Sequence, residues 1–398
     1  MAKINTDPQK IDELLKRGVH EIFTKSELRE KLLSGKQLHL KLGIDVTGPQ
    51  IHLGHAVVQR KMRDFQELGH KVTLIIGDFT TLVGDHSDKV DMRSETSAGE
   101  IKKNEQTYTE QFFKTVLKDQ TQIRHNSEWL KNLNFNDVIH LAREFTISQM
   151  LERETFMLRY KDQKPIGLDE FLYPLMQGYD SVALKCDVEF GGTDQTFNLL
   201  AGRKLMPVFG LPQQCAVVMK LLTGSDGRPM GKSLKNYIPI NDNENDMYGK
   251  VMSIVDDVLW DYFELVTRVP MAEIAKMQQA VRQGENPMTF KKRLAREVVE
   301  FYHSKKLAED AEKKFEATVQ HGELPADMNI TQVSGQMTVL EFLKTTKGDK
   351  HSSGELKRLI EQGGVEVNGE KVTDINKIIE FKRETVVKVG KRDFTVIK

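Results

Sequence analysis

Cysteine is nearly absent: only Cys186 and Cys215 occur in 398 residues, with no Cys-x-x-Cys spacing and no cysteine–histidine cluster. That excludes a disulfide framework and a structural zinc site, and it fits a reducing cytoplasm. Net charge is also lacking, since 58 basic residues balance 58 acidic ones. The balance excludes a histone-like polycation and an acidic solvating tail, while local basic patches stay possible. No run approaches the length of a membrane span, and the start Met1-Ala2-Lys3-Ile4-Asn5-Thr6-Asp7-Pro8 has no apolar signal-peptide core. A soluble cytoplasmic protein with no membrane partner is expected. Repeats and low-complexity tracts are missing as well.

What is there is an ordinary globular composition, 39% hydrophobic and 29% charged, long enough for two to three domains. In the first part, strand-like runs at residues 38–44 and 72–77 bracket a helical pattern carried by Val57, Met62, Phe65 and Leu68. Repeated strand–helix–strand units build a parallel sheet. Residues 105–117 and 138–159 read as helices unbroken by proline, and 188–190 and 215–219 as further strands. From about Asn241 to Val319 apolar residues recur every three or four positions without strands, so that stretch is helical. His321 to Gly335 reads as a linker. Beyond it, Glu355 to Gln362 is a helix stopped at Gly363-Gly364, and Val365 to Val372 alternates about Asn368-Gly369 as a hairpin. Residues 386–394 supply another strand pair, with Lys388, Lys391 and Arg392 clustered.

Four motifs carry chemistry. In Gly43-Ile44-Asp45-Val46-Thr47-Gly48-Pro49-Gln50-Ile51-His52-Leu53-Gly54-His55, a strand ends in a turn and two histidines flank a glycine where a helix begins. Helix N-terminal N–H groups attract phosphate, and imidazoles three residues apart can both donate to its oxygens. In Tyr173…Gln177…Asp180, spacings of four and three put three polar groups on one helix face, which is costly to bury without a partner. Gly191-Gly192-Thr193-Asp194-Gln195 follows a strand, where a carboxylate can bind ribose hydroxyls. Gly231-Lys232-Ser233 lies in a loop that is no P-loop, yet its lysine can reach a triphosphate. Taken singly, each motif also fits a solvated turn or a buried polar face.

Together, in this order, the four motifs resemble those of bacterial tyrosyl-tRNA synthetases, over nearly the whole chain, and the last segment resembles an S4-type RNA-binding domain. The resemblance implies an α/β fold: a Rossmann-like parallel-sheet catalytic domain with a helical insertion (1–235), an all-helical anticodon-side domain (236–325), a linker (326–335) and a small α+β S4-like domain (336–398). It implies activation of tyrosine by ATP with Mg2+, transfer to tRNA, and a homodimer that binds no DNA. His52, His55, Thr47 and Lys232 would act on the triphosphate. Asp45, Gly54, Gly192, Asp194 and Ser233 would complete the ATP site. Asp85, Tyr173 and Gln177 would hold the substrate ammonium group, with Thr80 and Asn126 nearby. Asp180 would accept from the phenol, and Gln195 would face the carboxylate. No metal site of the protein's own is implied.

Four places depart from the family pattern. Gly84-Asp85-His86-Ser87-Asp88 lacks the usual proline and glycine, and Pro229-Met230-Gly231-Lys232-Ser233 lacks the first lysine of the mobile loop, with Arg228 one position earlier as an electrostatic substitute. Lys41 stands where many members have a phenol-contacting tyrosine, and Val46 replaces a frequent proline. Rivals are the tryptophanyl relative, an RNA-binding protein without catalysis, and a small nucleotidyltransferase. Asp180, the paired histidines and the terminal segment argue against them in turn.

Overall fold

A computed structural model describes residues 4–46, 50–84, 98–231, 234–320, 329–348, 351–390 and 393–398. The chain forms two compact units, Met1–Ser304 and Lys305–Lys398. The first is built on β1 (Val19–Phe23), β2 (His39–Ile44), β3 (Lys71–Ile76), β4 (Thr121–His125), β5 (Val188–Gly192) and β6 (Cys215–Met219). Their spatial order is β1-β6-β5-β2-β3-β4. Strands β2 to β6 are parallel and β1 joins the edge antiparallel to β6. β5 and β6 are buried at every position, which is why β6 reads as an unbroken apolar run rather than an alternating one, whereas β5 carries a buried Glu189. The chain runs outward from β2 through β3 to β4, then returns to β5 and β6 on the other side. Connections from β2 and β5 therefore leave in opposite directions, and an open sheet has its ligand crevice at the carboxyl ends of such neighbours.

The helix Leu53–Glu67 lies on this sheet through Leu53, Ala56, Val57, Met62 and Phe65, and Phe65 meets Phe190 of β5 edge-on with centroids 5.2 Å apart. The expected helix over 138–159 is instead three: Phe135–Arg143, Ile147–Leu151 and Glu154–Lys161. Thr146 and Gln149 satisfy each other's backbone N–H groups in a reciprocal cap. A new helix therefore starts where apolar periodicity alone continues the old one.

Further helices at Glu244–Met252, Leu259–Val266, Met271–Arg282 and Pro287–Tyr302 contain no strand between them among the described residues. Arg17 ties them to the N-terminus by donating to the carbonyl oxygens of Phe263, Glu264, Thr267 and Val269. These helices share the sheet's unit, so the expected boundary at 236 falls inside it.

In the second unit, Asn329–Thr331 is a strand parallel to Asp393–Ile397, in a segment expected to be linker. Its register with the C-terminal strand is non-local and leaves no mark in the sequence around it. The Asn368-Gly369 hairpin is present, both residues having positive φ. The core joins Val339, Phe342, Leu343, Leu356, Ile360 and Val365 with Phe381 and Ile397. Phe342 and Phe381 stack with centroids 4.3 Å apart. Lys388 pairs with Glu366 at 3.3 Å, while Lys391 and Arg392 lie outside the described residues.

Candidate active site

The crevice between β2 and β5 is bordered by described residues of the motifs. Asp45 follows β2, and its Oδ1 accepts from Thr80 Oγ1 at 2.8 Å. Its Oδ2 accepts from the Tyr173 hydroxyl at 3.0 Å. Asn126 Nδ2 donates to Thr80 Oγ1 at 3.1 Å, and Asn126 Oδ1 accepts from the Phe79 N–H at 3.0 Å. One connected network thus joins residues after β2, β3 and β4 to the helix Tyr173–Leu184. Gly77 makes this possible, because an added Cβ there would run into Asp45 Oδ1 and Thr80 Oγ1.

Tyr173, Gln177 and Asp180 share that helix, as their spacing predicts. Each has a protein partner. Gln177 Nε2 donates to Glu189 Oε1 at 3.1 Å, and Trp129 Nε1 donates to Asp180 Oδ1 at 2.7 Å. Asp180 is 2% exposed. Burial pushes its pKa up to about 7, against the opposing pull of Lys41 and the Trp129 hydrogen bond.

His52 caps the helix Leu53–Glu67, its backbone N–H donating to His55 Nδ1 at 3.3 Å. The two rings lie 3.8 Å apart, so both imidazoles sit at the positive end of one helix dipole. The segment after the late loop returns here: the Leu53 N–H donates to Ile238 O at 3.0 Å and the Ile240 N–H to Ile51 O at 3.1 Å. Tyr237 lies 5.5 Å from the His52 ring. The loop itself reaches the histidine turn, since a Cβ on Gly54 would stand 3.0 Å from Met230 Sδ and 3.0 Å from His52 Nδ1. Asn236 shapes the loop, accepting from the Gly231 N–H at 2.9 Å and donating to Asp226 Oδ1 at 2.8 Å. Arg228 is held by Asp226 at 2.6 Å, and the hydrogen bonds from Asn236 and Arg228 bring the Asp226 pKa down to about 2. Thr47, Asp85, Lys232 and Ser233 lie outside the described residues.

Beyond β5, Asp194 is exposed at the crevice and accepts from Gln195 Nε2 at 3.3 Å. Gln195 Oε1 in turn accepts from Asn198 Nδ2 at 2.9 Å. Gly192 leaves room for Asp194, because a Cβ there would sit 2.5 Å from its Oδ1. Among the described residues no cluster of three or more metal-ligating side chains occurs. Sequence reasoning missed Trp129, Asn236, Tyr237 and the partner of Lys41. Only the family departure at Lys41 pointed toward the last of these.

A parallel sheet with histidines on a helix start at its crevice, met by a late loop, is the catalytic core of a class I tRNA synthetase. Residues 33–320 match the family model described as tRNA synthetases class I (W and Y), and residues 350–384 match the S4 domain. The chain belongs to the tyrosine–tRNA ligase family. It is 46% identical over 387 residues to a protein of that name from Moorella thermoacetica, covering 96% of this chain and 94% of the relative. It is 47% identical over 397 residues to one from Carboxydothermus hydrogenoformans, with 97% of each chain covered. In fold it is similar to a C-terminally truncated mitochondrial tyrosyl-tRNA synthetase of Aspergillus nidulans. That match has a TM-score of 0.64 and 22% identity, covering 79% of this chain and 93% of that one.

Proposed function

We propose that this enzyme, a tyrosine–tRNA ligase, performs its two steps in the crevice between β2 and β5. The substrate carboxylate oxygen attacks the α-phosphorus of ATP and pyrophosphate leaves; a hydroxyl of the terminal ribose of tRNA then attacks the tyrosyl carbonyl, losing its proton as AMP leaves. Little covalent participation is needed from the protein, so positioning and electrostatics supply the rate. His52 and His55 donate to the triphosphate as its charge shifts, and the family resemblance assigns Thr47, Lys232 and Ser233 to the same triphosphate. Gly54 and Gly192 allow close approach, Asp45 and Asp194 face ATP, and Gln195 faces the reacting carboxylate. Asp85, Tyr173 and Gln177 receive the ammonium group, backed by Thr80 and Asn126. Mg2+, bound through the triphosphate oxygens, would neutralise part of their charge, in keeping with its preference for substrate phosphates over protein cages.

The observation that carries the tyrosine assignment is Asp180, a buried carboxylate with one oxygen on Trp129. Its other oxygen suits a phenol hydroxyl, which phenylalanine lacks. A site built for that hydroxyl leaves its acceptor unpaired when phenylalanine enters, and the discrimination known for tyrosyl-tRNA synthetases themselves is about 10⁵. Pyrophosphate exchange into ATP tests the reading with tyrosine, phenylalanine and tryptophan. Wild type should exchange with tyrosine in strong preference to phenylalanine and tryptophan, and Asp180→Asn should lower the tyrosine-to-phenylalanine ratio by at least tenfold, about 1.4 kcal/mol. An unchanged ratio removes Asp180 from phenol recognition.

A homodimer is supported by large apolar side chains exposed in one stretch of chain: Phe135, Ile147, Leu158, Tyr160 and Leu168, each more than half exposed. Large apolar side chains left exposed are candidates for protein contacts where they cluster. Among the described residues no helix is long and apolar enough to cross a membrane, and with two buried free cysteines the proposed compartment is the cytoplasm.

A further inference from the structure

Beneath the amino-acid pocket lies an ion pair that the two-step reaction does not require. Lys41 of β2 and Glu189 of β5 are direct register partners on adjacent strands. Both side chains are fully buried, with Nζ 2.9 Å from Oε1. Such a pair seldom repays its desolvation, and an apolar pair of the same volume packs at lower cost. Its remaining hydrogen-bonding capacity is spent largely on one helix. Lys41 Nζ donates to the Gln177 carbonyl oxygen at 3.1 Å. Glu189 accepts from Gln177 Nε2 at 3.1 Å, from Ser181 Oγ at 3.2 Å and from Gln214 Nε2. The pair thus clamps the helix Tyr173–Leu184, which carries Gln177 and Asp180, to the sheet.

The charges that face Asp180 are Lys41, which favours its anion, and Glu189, which opposes it, with neutral Trp129 donating a hydrogen bond to it. Cys186, which faces Lys41, Glu189 and Asp187, stays a neutral thiol because burial pushes it up to about 12. Lys41 itself keeps its proton: burial works against the ammonium, but the facing carboxylates, Glu189 first, outweigh it.

We propose that the Lys41–Glu189 pair is a positioning unit that determines specificity: by clamping the helix Tyr173–Leu184 to the sheet it sets Asp180 toward the phenol and the Gln177 amide toward the ammonium group. This rests on the assignment of Asp180 to the phenol. Both side chains are fully buried and act through the helix they hold.

The test is the pH profile of kcat/KM in pyrophosphate exchange, from about pH 5.5 to 9, with tyrosine and with phenylalanine, alongside thermal unfolding as a check of folding. Lys41→Met, and the double variant Lys41→Met with Glu189→Gln, should move the acid limb for tyrosine to higher pH. A displacement of one unit costs about tenfold on the acid side, with recovery toward pH 9. Glu189→Gln should move that limb the opposite way for tyrosine and raise KM for tyrosine and phenylalanine alike through the loosened Gln177 amide. KM for ATP and the position of the phenylalanine pH profile should stay in place. Opposite displacements cannot come from mere loosening of the fold. An unmoved limb in the folded variants, or equal losses for both amino acids at every pH, overturns the inference. So does a wild-type tyrosine-to-phenylalanine ratio that is flat across the whole range, which needs no variant to fold. The Asp180→Asn control separates the two levels. If it keeps the wild-type ratio, the phenol assignment falls. If it loses the ratio while the pair variants keep both ratio and limb, only the pair's part falls.

Discussion

Gly54 stands between the two histidines and the late loop, and its missing side chain has a measurable consequence. A Cβ would sit 3.0 Å from His52 Nδ1 and 3.0 Å from Met230 Sδ, tighter than ordinary contact. Alanine is otherwise the better helix former by about 1 kcal/mol. Gly54→Ala should therefore leave Tm unchanged or slightly raised while pyrophosphate exchange falls by roughly tenfold, since displaced catalytic groups lose far more rate than stability. A large drop in Tm with normal exchange per folded molecule would contradict this. Asp180 makes the complementary point: a carboxylate on an apolar helix face is legible as a candidate, but its indole partner comes from a segment 51 positions away.

Strand β3 is entered through His70, whose buried ring shows how one element becomes sensitive to acid. Its Nδ1 accepts from the Leu38 N–H at 3.1 Å, joining the approaches to β2 and β3. Desolvation lowers its pKa from 6.5 to about 4, with Asp187 opposing weakly. The folded-state value is depressed, so the stability it contributes is fully present above pH 6.5 and is lost as pH falls toward 4. Urea midpoints measured between those limits should decline for wild type. They should decline less for His70→Gln, which keeps an acceptor and removes the titration. Equal slopes in both proteins would exclude His70 as the cause. The three short helices at 135–161 show the local side of the same scale, since a Thr–Gln cap breaks a stretch that hydrophobic periodicity alone would continue.

The whole molecule divides at Ser304, and the division predicts separable activities. A chain ending at Ser304 retains the crevice, the histidine turn and Arg17's hold on the helical part. It should keep tyrosine-dependent pyrophosphate exchange within about threefold of wild type and lose most tRNA charging, because phosphate contacts that position RNA contribute much of its affinity. Full charging by the truncated chain would make the second unit dispensable. The exposed apolar residues at 135–168 give a second expectation. Phe135→Asp combined with Ile147→Asp should shift sedimentation from dimer to monomer, and sedimentation identical to wild type would place any dimer contact elsewhere.

Much of this protein was legible in its amino acids. The strand-like runs of β2, β3, β5 and β6, the helical stretch after Asn241, the Asn368-Gly369 hairpin and the ordered motifs of the crevice are all local patterns, and local patterns report local backbone preferences. The edge strand β1, the parallel strand at 329–331 and the partners of the site residues were not legible. Each depends on which distant segments meet, and no window of sequence contains both halves of such a contact. Lys41 is the clearest case. In sequence it is only a cation within an apolar strand, whereas the register of β2 against β5 sets it beside Glu189, where burial in a low-dielectric interior turns a lone charge into a paired one.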